Sequence, residues 1–216
     1  MFKFNIKDKI NYFESQDKAY INPPKRIPFF LRFPIWIASK KVKKDLLLAK
    51  ILAWNPKTAI SSGILESLIT HDDKEVPKRL LKLIRIQISI DVSCPFCIDM
   101  NSFEYDKENV TDEEIKALQN KDIDNCISLS KKEKIALKYI SAITKTPVVI
   151  SEELINEVKK EYSERAILIL VSTAAQVNYW ARLIRGLGVP VAGFSNICKL
   201  ECTGARHIAV RNSLIY

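Results

Sequence analysis

Cys94-Pro95-Phe96-Cys97 places two thiols three positions apart. A pair at this spacing can close a disulfide within one turn of backbone. Pro95 suits the first position of a helix, with Cys94 as its cap. There, free amides and the helix dipole favour a thiolate over a thiol. Cys97 then lies one turn further on, nearly on the same face, placed to attack a mixed disulfide and release product. This is a layout of nucleophile and resolving thiol, and redox chemistry is the leading reading. Two alternatives stay open. A zinc site would need further ligands from Cys198, Cys202 and His207, at loose spacing. Two inert core thiols are the other, because free cysteine is often buried. Asp91, three residues before Cys94, and Asp99, two after Cys97, are candidate proton acceptors, although nearby carboxylates also raise a thiol pKa. Glu104 has a similar standing. His71 and His207 are the only histidines, and each is more commonly structural than a general base. Asn178 and Arg182 lie one turn apart, fit for an anion, a neighbouring subunit or an internal helix pair. No cofactor and no resident metal are expected, and Cys126 is given no role.

The elements that must position these residues are read from composition and pattern. The chain has 216 residues, 47% hydrophobic, with 5 Gly. That is enough to bury a core without metal or disulfide staples. Its ends are basic: residues 1–50 hold 12 Lys/Arg against 4 Asp/Glu, and residues 182–216 hold 5 against 1. No zinc-finger spacing, RNP-type motif or long basic helix accompanies this charge, so nucleic acid is not expected as a partner. Five cysteines are too few for a disulfide scaffold. The first residues carry no apolar stretch of signal-peptide length. A reducing cytoplasm is the expected compartment.

Residues 1–44 read as an N-terminal extension, 45–192 as a helical domain, and 193–216 as a tail packed on the domain or on a neighbouring subunit. Within the extension, residues 1–26 read as a loosely organised arm with a break at Asn22-Pro23-Pro24. Phe29, Phe30, Phe33 and Trp36 then precede Lys40, Lys41, Lys43 and Lys44. Pro28 and Pro34 are expected to spoil a regular helix here. Packing on the protein is therefore favoured over membrane-surface contact by residues 27–44. Helix is expected from about Ser39. Asn55-Pro56 is a helix start, ending near a polar turn at His71-Asp72-Asp73. Leu80 to Ile90 suits a buried helix, but Ile86, Ile88, Ile90 and Val92 also alternate like a strand. Thr111 with Glu114, and Ser130 with Glu133, match the capping box. Pro147 ends the second of these helices or lies just past it. Ser151 caps a helix to about Lys160. The apolar run Ala166–Ile184, interrupted by Ser172, Thr173, Gln176, Asn178 and Arg182, reads as a central buried helix.

The segment from Ala49 to about Leu187 resembles the alkylhydroperoxidase D-like (AhpD-like) and carboxymuconolactone decarboxylase family. The likeness rests on an order of pieces. Ala53-Trp54-Asn55-Pro56 comes first, then Lys78 to Ile84, then the apolar stretch into the CxxC. Asp112 to Leu118 follows, then Ser130 to Leu137, and last Asn178-Tyr179-Trp180-Ala181-Arg182. The resemblance implies an all-α fold and a homo-oligomer: a trimer, a hexamer or a dimer of related type. For the redox branch it implies a dithiol that reduces a hydroperoxide, or a disulfide on a partner protein, with a thiol protein as electron donor. That branch carries a relay histidine where this chain has Asn101, and a relay glutamate where it has Lys82. Asn101 can hydrogen-bond but cannot carry a proton at neutral pH. The expected function is thus a thiol-dependent oxidoreductase acting on a hydroperoxide, other small molecule or partner disulfide through Cys94 and Cys97. The alternative is a non-enzymatic redox-responsive or scaffold protein on the same fold. A thioredoxin-like fold, with Ile86–Val92 as a strand, is a lesser alternative.

Overall fold

The computed structural model describes residues 17–68 and 73–195. The described residues form nine α-helices and one short 3-10 turn, with no strand. In chain order these are α1 Phe29–Val42, α2 Leu47–Leu52, α3 Pro56–Leu68, α4 Lys78–Asp91, α5 Pro95–Asn101, the turn Tyr105–Glu108, α6 Asp112–Asn120, α7 Lys131–Thr144, α8 Glu152–Glu161 and α9 Glu164–Gly186. The all-α expectation holds. His71, Cys198, Cys202 and His207, together with residues 1–16, lie outside the described residues.

The fold is built around α4. Leu80, Leu81, Leu83, Ile84, Ile86, Ile88 and Ile90 are all buried, as are Gln87 and Ser89. A helix apolar on nearly every side must be surrounded. Here α5, α6, α7 and α9 pack against it. This explains why the sequence was ambiguous. Lys78, Lys82 and Arg85 mark one polar stripe on the first turns, but every residue from Ile86 to Ile90 is buried, and there isoleucines at alternate positions imitate a strand.

The predicted caps form. Thr111 Oγ1 accepts from Glu114 N while Glu114 accepts from Thr111 N at 2.9 Å. Ser130 and Glu133 repeat the arrangement at α7. Asn55 Oδ1 accepts from Lys57 N at 3.1 Å at the start of α3. Ser151 and Ser163 cap α8 and α9. Pro147 falls just beyond α7. Arg79, on the first turn of α4, pairs with both capping-box glutamates. Its Nη1 donates to Glu114 Oε2 at 3.1 Å, and its Nε to Glu133 Oε1 at 2.8 Å. One guanidinium thus ties the starts of α6 and α7 to the start of α4.

Two expectations about the N-terminal region are corrected. A regular helix runs from Phe29 to Val42 through Pro34, ten residues earlier than expected. Pro28 sits outside it as the cap. Pro34 removes one backbone bond to the carbonyl a turn before, and α1 continues through this single defect with Pro34 itself exposed. The outward face stays open, with Phe29 82% exposed and Phe30, Phe33, Trp36 and Ile37 also exposed. Nor is the arm loose over its described part. Tyr20 N donates to Leu187 O at 2.9 Å, and Trp54 Nε1 to Asn22 O at 2.8 Å. The Tyr20 ring lies where a side chain on Gly188 would stand, and Gly188 has φ +61°. Both facts require glycine there.

The 23-residue α9 is long and apolar enough to cross a bilayer by composition. It instead packs against α4, α5, α7 and α8, burying Ile169, Leu170, Val177 and Ile184 among others.

Glu114 is 1% exposed, so removing its partner leaves a buried charge unpaired. Arg79→Met is therefore expected to lower unfolding free energy by about 3 kcal/mol, read from denaturant midpoints. A second prediction concerns Asp91, which bridges α4 and α7. It accepts from Ser141 Oγ at 2.6 Å and Gln87 Nε2 at 2.9 Å. Burial pushes its carboxyl above the ordinary range, and the Ser141 and Gln87 bonds only partly oppose this. A raised acid stabilises the fold below its unfolded pKa of about 4, and that contribution is lost as pH rises through the raised value. Asp91→Asn should remove this pH-dependent loss. Rotating the Gln87 amide lets its Oε1, which has no partner in wild type, accept from the new side-chain amide. The variant is expected to be at least as stable as wild type at pH 7, checked by melts from pH 4 to 8.

Candidate redox site

The site begins at the α4–α5 junction. Ser93 adopts a left-handed conformation, φ 50°. Its N–H bonds to Ile90 O and the Cys94 N–H bonds to Ser89 O, which reverses the chain. Arg185 of α9 donates to Ser93 O and holds the turn from outside. Cys94 is thereby delivered as the N-cap of α5 with Pro95 at the first position. The Cys94 Sγ accepts from Cys97 N at 3.3 Å. The two cysteines are joined as a disulfide with Cα atoms 5.2 Å apart.

The two sulfurs differ in surroundings. Cys94 is 0% exposed and Cys97 3%. Cys97, not Cys94, lines a cavity of about 380 Å³. Leu31, Pro34, Ile35, Ala38 and Val42 of α1 form one wall. Residues of α2 and α3 form another, and Phe96, Met100, Val177, Trp180 and Ile184 complete it. The N-terminal extension is thus part of the enclosure around Cys97. The lining is overwhelmingly apolar, with a polar end. Glu66 Oε2 accepts from Trp180 Nε1 at 2.9 Å and from Gln176 Nε2. Arg85 donates to Gln176 Oε1 at 2.7 Å and approaches Glu66 at 3.8 Å. Burial draws the Arg85 guanidinium below its ordinary value, partly offset by Glu66.

Of the predicted residues, Asn101 also lines the cavity. Its Nδ2 donates to Ser89 Oγ at 2.9 Å, and Ser89 Oγ donates to Arg85 O at 2.7 Å. Asp99 is fully buried, and its carboxylate accepts Phe194 N at 2.9 Å and Ser195 N at 2.6 Å. It pins a C-terminal strap on which Phe194 packs against Phe96 and Phe103. Asp91 is held by Gln87 and Ser141, and neither aspartate lines the cavity. Lys82 donates to Phe103 O at 3.0 Å, and burial lowers its ammonium pKa. Glu104 pairs with Lys107. Arg182 bonds Asn178 Oδ1 at 2.7 Å within α9. Cys126 is buried against Ser128 Oγ. Among the described residues, no three His, Cys, Asp or Glu side chains gather as a metal site.

Sequence reasoning missed Glu66, Arg85 and Trp180 as site residues. A signal existed in the polar residues Arg85 and Gln176, set in two otherwise apolar helices. Buried polar groups need partners, and these two supply each other's.

No family model matches the chain. The uncharacterized protein YdfG of Bacillus subtilis is 32% identical over 108 residues, half of this chain and 72% of that protein. Among solved structures, the debrominase Bmp8, as a cysteine-to-alanine variant in complex with 2,3,4-tribromopyrrole, superposes with TM-score 0.72 at 17% identity. That match covers 87% of this chain and 99% of the other. An alkylhydroperoxidase AhpD core, the uncharacterized peroxidase-related protein of Ralstonia eutropha JMP134, gives TM-score 0.71 at 12% identity, covering 82% and 94%. The chain belongs to the family represented by YdfG, and it is built on the AhpD-like, peroxidase-related fold.

Proposed function

We propose that the protein is a thiol-dependent oxidoreductase whose Cys94/Cys97 pair reduces a small organic hydroperoxide. One observation carries this reading: Cys97 lies on the wall of a half-open apolar cavity while disulfide-bonded to a helix-capping cysteine. The AhpD-like and peroxidase-related neighbours support it. In the reduced state, Cys97 sulfur attacks the terminal oxygen of ROOH. The O–O bond breaks, ROH leaves with the thiol proton, and Cys97 becomes a sulfenic acid. Cys94 then attacks Cys97 sulfur. The S–S bond forms, the S–O bond breaks, and water leaves with the Cys94 proton. Two thiols and ROOH give a disulfide, ROH and H₂O. An external dithiol closes the cycle. The protons come from the thiols themselves, so the net step needs no proton from a relay. The Cys97 N–H on Cys94 Sγ favours Cys94 as thiolate.

In this reading Asn101 is a positioning residue that fixes the α5 register through Ser89. Asp99 secures the strap, and Asp91 ties α4 to α7. The cycle belongs in a reducing compartment such as the cytoplasm, where dithiol donors are available.

A second reading has the same electron count: reductive cleavage of a carbon–halogen bond in a small aromatic molecule. The apolar cavity and the neighbour that is a debrominase favour it.

The reduced chain is expected to consume one equivalent of cumene hydroperoxide faster than one of hydrogen peroxide, followed by thiol loss. Cys97→Ser should slow this at least a hundredfold, whereas Cys94→Ser should stall with a trappable sulfenic acid. Equal slow consumption by wild type and Cys97→Ser would sink the peroxide reading. Bromide release from a bromophenol under the same conditions would favour the second. Gly63 lines the cavity, and a Cβ there meets nothing within 4 Å. Gly63→Leu is therefore expected to fold normally, fill space, and erase most of the preference for the bulky hydroperoxide.

A further inference from the structure

Helix α1 is apolar on two opposite faces, and the protein uses only one of them. Leu31, Ile35, Ala38 and Val42 line the Cys97 cavity. Phe29, Phe33 and Trp36 follow one another at one-turn spacing on the opposite face, with Phe33 65% and Trp36 56% exposed. Their rings form a continuous ledge. Phe33 stacks on Trp36 with centroids 6.1 Å apart, and Phe29 meets Phe30 edge to face at 5.6 Å. A helix that is apolar on both sides belongs between two apolar surroundings. A contiguous exposed patch of this kind marks an interaction surface.

Charge indicates the occupant. From Lys18 to Lys44 the sequence holds eight Lys/Arg and no Asp/Glu. Lys25, Arg26, Arg32, Lys40, Lys43 and Lys44 are all exposed. Lys40 Nζ lies 5.8 Å from the centroid of the Trp36 ring, so its stem runs beside the ledge and its charge sits at the border. Long basic side chains take this posture between hydrocarbon and headgroups. A second copy docked face to face would bring these cations together, with no carboxylate in the segment to offset them. Anionic headgroups above hydrocarbon match both the aromatic ledge and its basic border. The prolines expected to spoil the helix, and with it such a contact, leave it regular from Phe29 to Val42.

We infer that the outer face of α1 docks the protein on an anionic lipid bilayer, lying in the plane of the interface with Phe29, Phe33 and Trp36 inserted and the lysines and arginines on the headgroups. Docking sets the Cys97 cavity about one helix diameter, roughly 10 Å, from hydrocarbon into which apolar hydroperoxides partition. That consequence rests on the peroxide reading. The docking does not, and its test uses no peroxide, so the two fail separately.

The full chain is mixed with vesicles of phosphatidylcholine containing about a third phosphatidylglycerol, and the lipid is pelleted. Binding is expected to be at least tenfold tighter than to phosphatidylcholine alone, and to weaken in about 1 M salt, where the Debye length is about 3 Å. Phe33→Ser with Trp36→Ser leaves the net charge unchanged and, both side chains being exposed, should leave the thermal melt unchanged while weakening binding at least tenfold. Undiminished binding would mean attraction by charge alone and would overturn docking through α1. Lys25→Gln, Arg26→Gln, Lys40→Gln should also weaken binding at least tenfold. Removing three exposed charges elsewhere, by Lys116→Gln, Lys159→Gln, Lys160→Gln, should change it less than threefold, and equal effects of the two triple variants would overturn the inference. So would a wild type that does not pellet with the anionic vesicles. If light scattering then showed an oligomer that Phe33→Ser with Trp36→Ser dissociates, the face would belong to a second copy of this chain instead.

Discussion

Burial of α4 on nearly every side is the constraint on which the remaining structure depends. A helix with nine buried residues in fourteen is stable only when other helices enclose it. That requirement brings α5, α6, α7 and α9 together around it. It also sets the tolerance for polar groups. Several that remain on α4 are bonded to neighbours: Arg79 to the caps of α6 and α7, Arg85 to Gln176, Ser89 to Asn101, and Asp91 to Ser141. Each bond selects one packing of the surrounding helices from among those that hydrophobic burial alone would allow, because a misplaced partner leaves a polar group stranded.

The CxxC inherits its asymmetry from this arrangement. Left-handed Ser93 turns the chain at the end of α4, and α5 starts at a fixed distance from the core. Cys94 faces inward, among residues including Phe194 and Val189, and Cys97 faces the cavity. One sulfur is supplied with a backbone donor and the other with space. The backbone donor and the opening to the cavity belong to different sulfurs of the pair.

The N-terminal helices and the C-terminal strap close the site from two directions. Helix α1 contributes an apolar wall of the cavity while its aromatic outer face remains exposed. The strap covers Cys94 through Phe194 and is locked by Asp99. Asp99, two residues from Cys97 in sequence, has its carboxylate bonded to the strap. Its carboxylate is occupied by amides contributed from nearly a hundred residues away, and no local pattern announces them.

Local signals in the sequence were read correctly where the physics is local. The capping boxes at Thr111 and Ser130, the Asn55-Pro56 start and the Cys94 cap are settled within four residues of chain, so spacing alone determines them. The all-helical class followed from the same short-range information. The helical nature of Ile86–Val92 was obscured because Ile86–Ile90 is buried on every side, so its alternating isoleucines carry no polar face to mark a helix. The course of α1 was obscured because one proline costs less than the packing around it returns. The cavity, its Glu66–Arg85–Gln176 end, and the choice of Cys97 as the accessible sulfur came from tertiary structure alone. Each depends on side chains from helices far apart in sequence meeting at one place, and their meeting is fixed by the shape of the packed core.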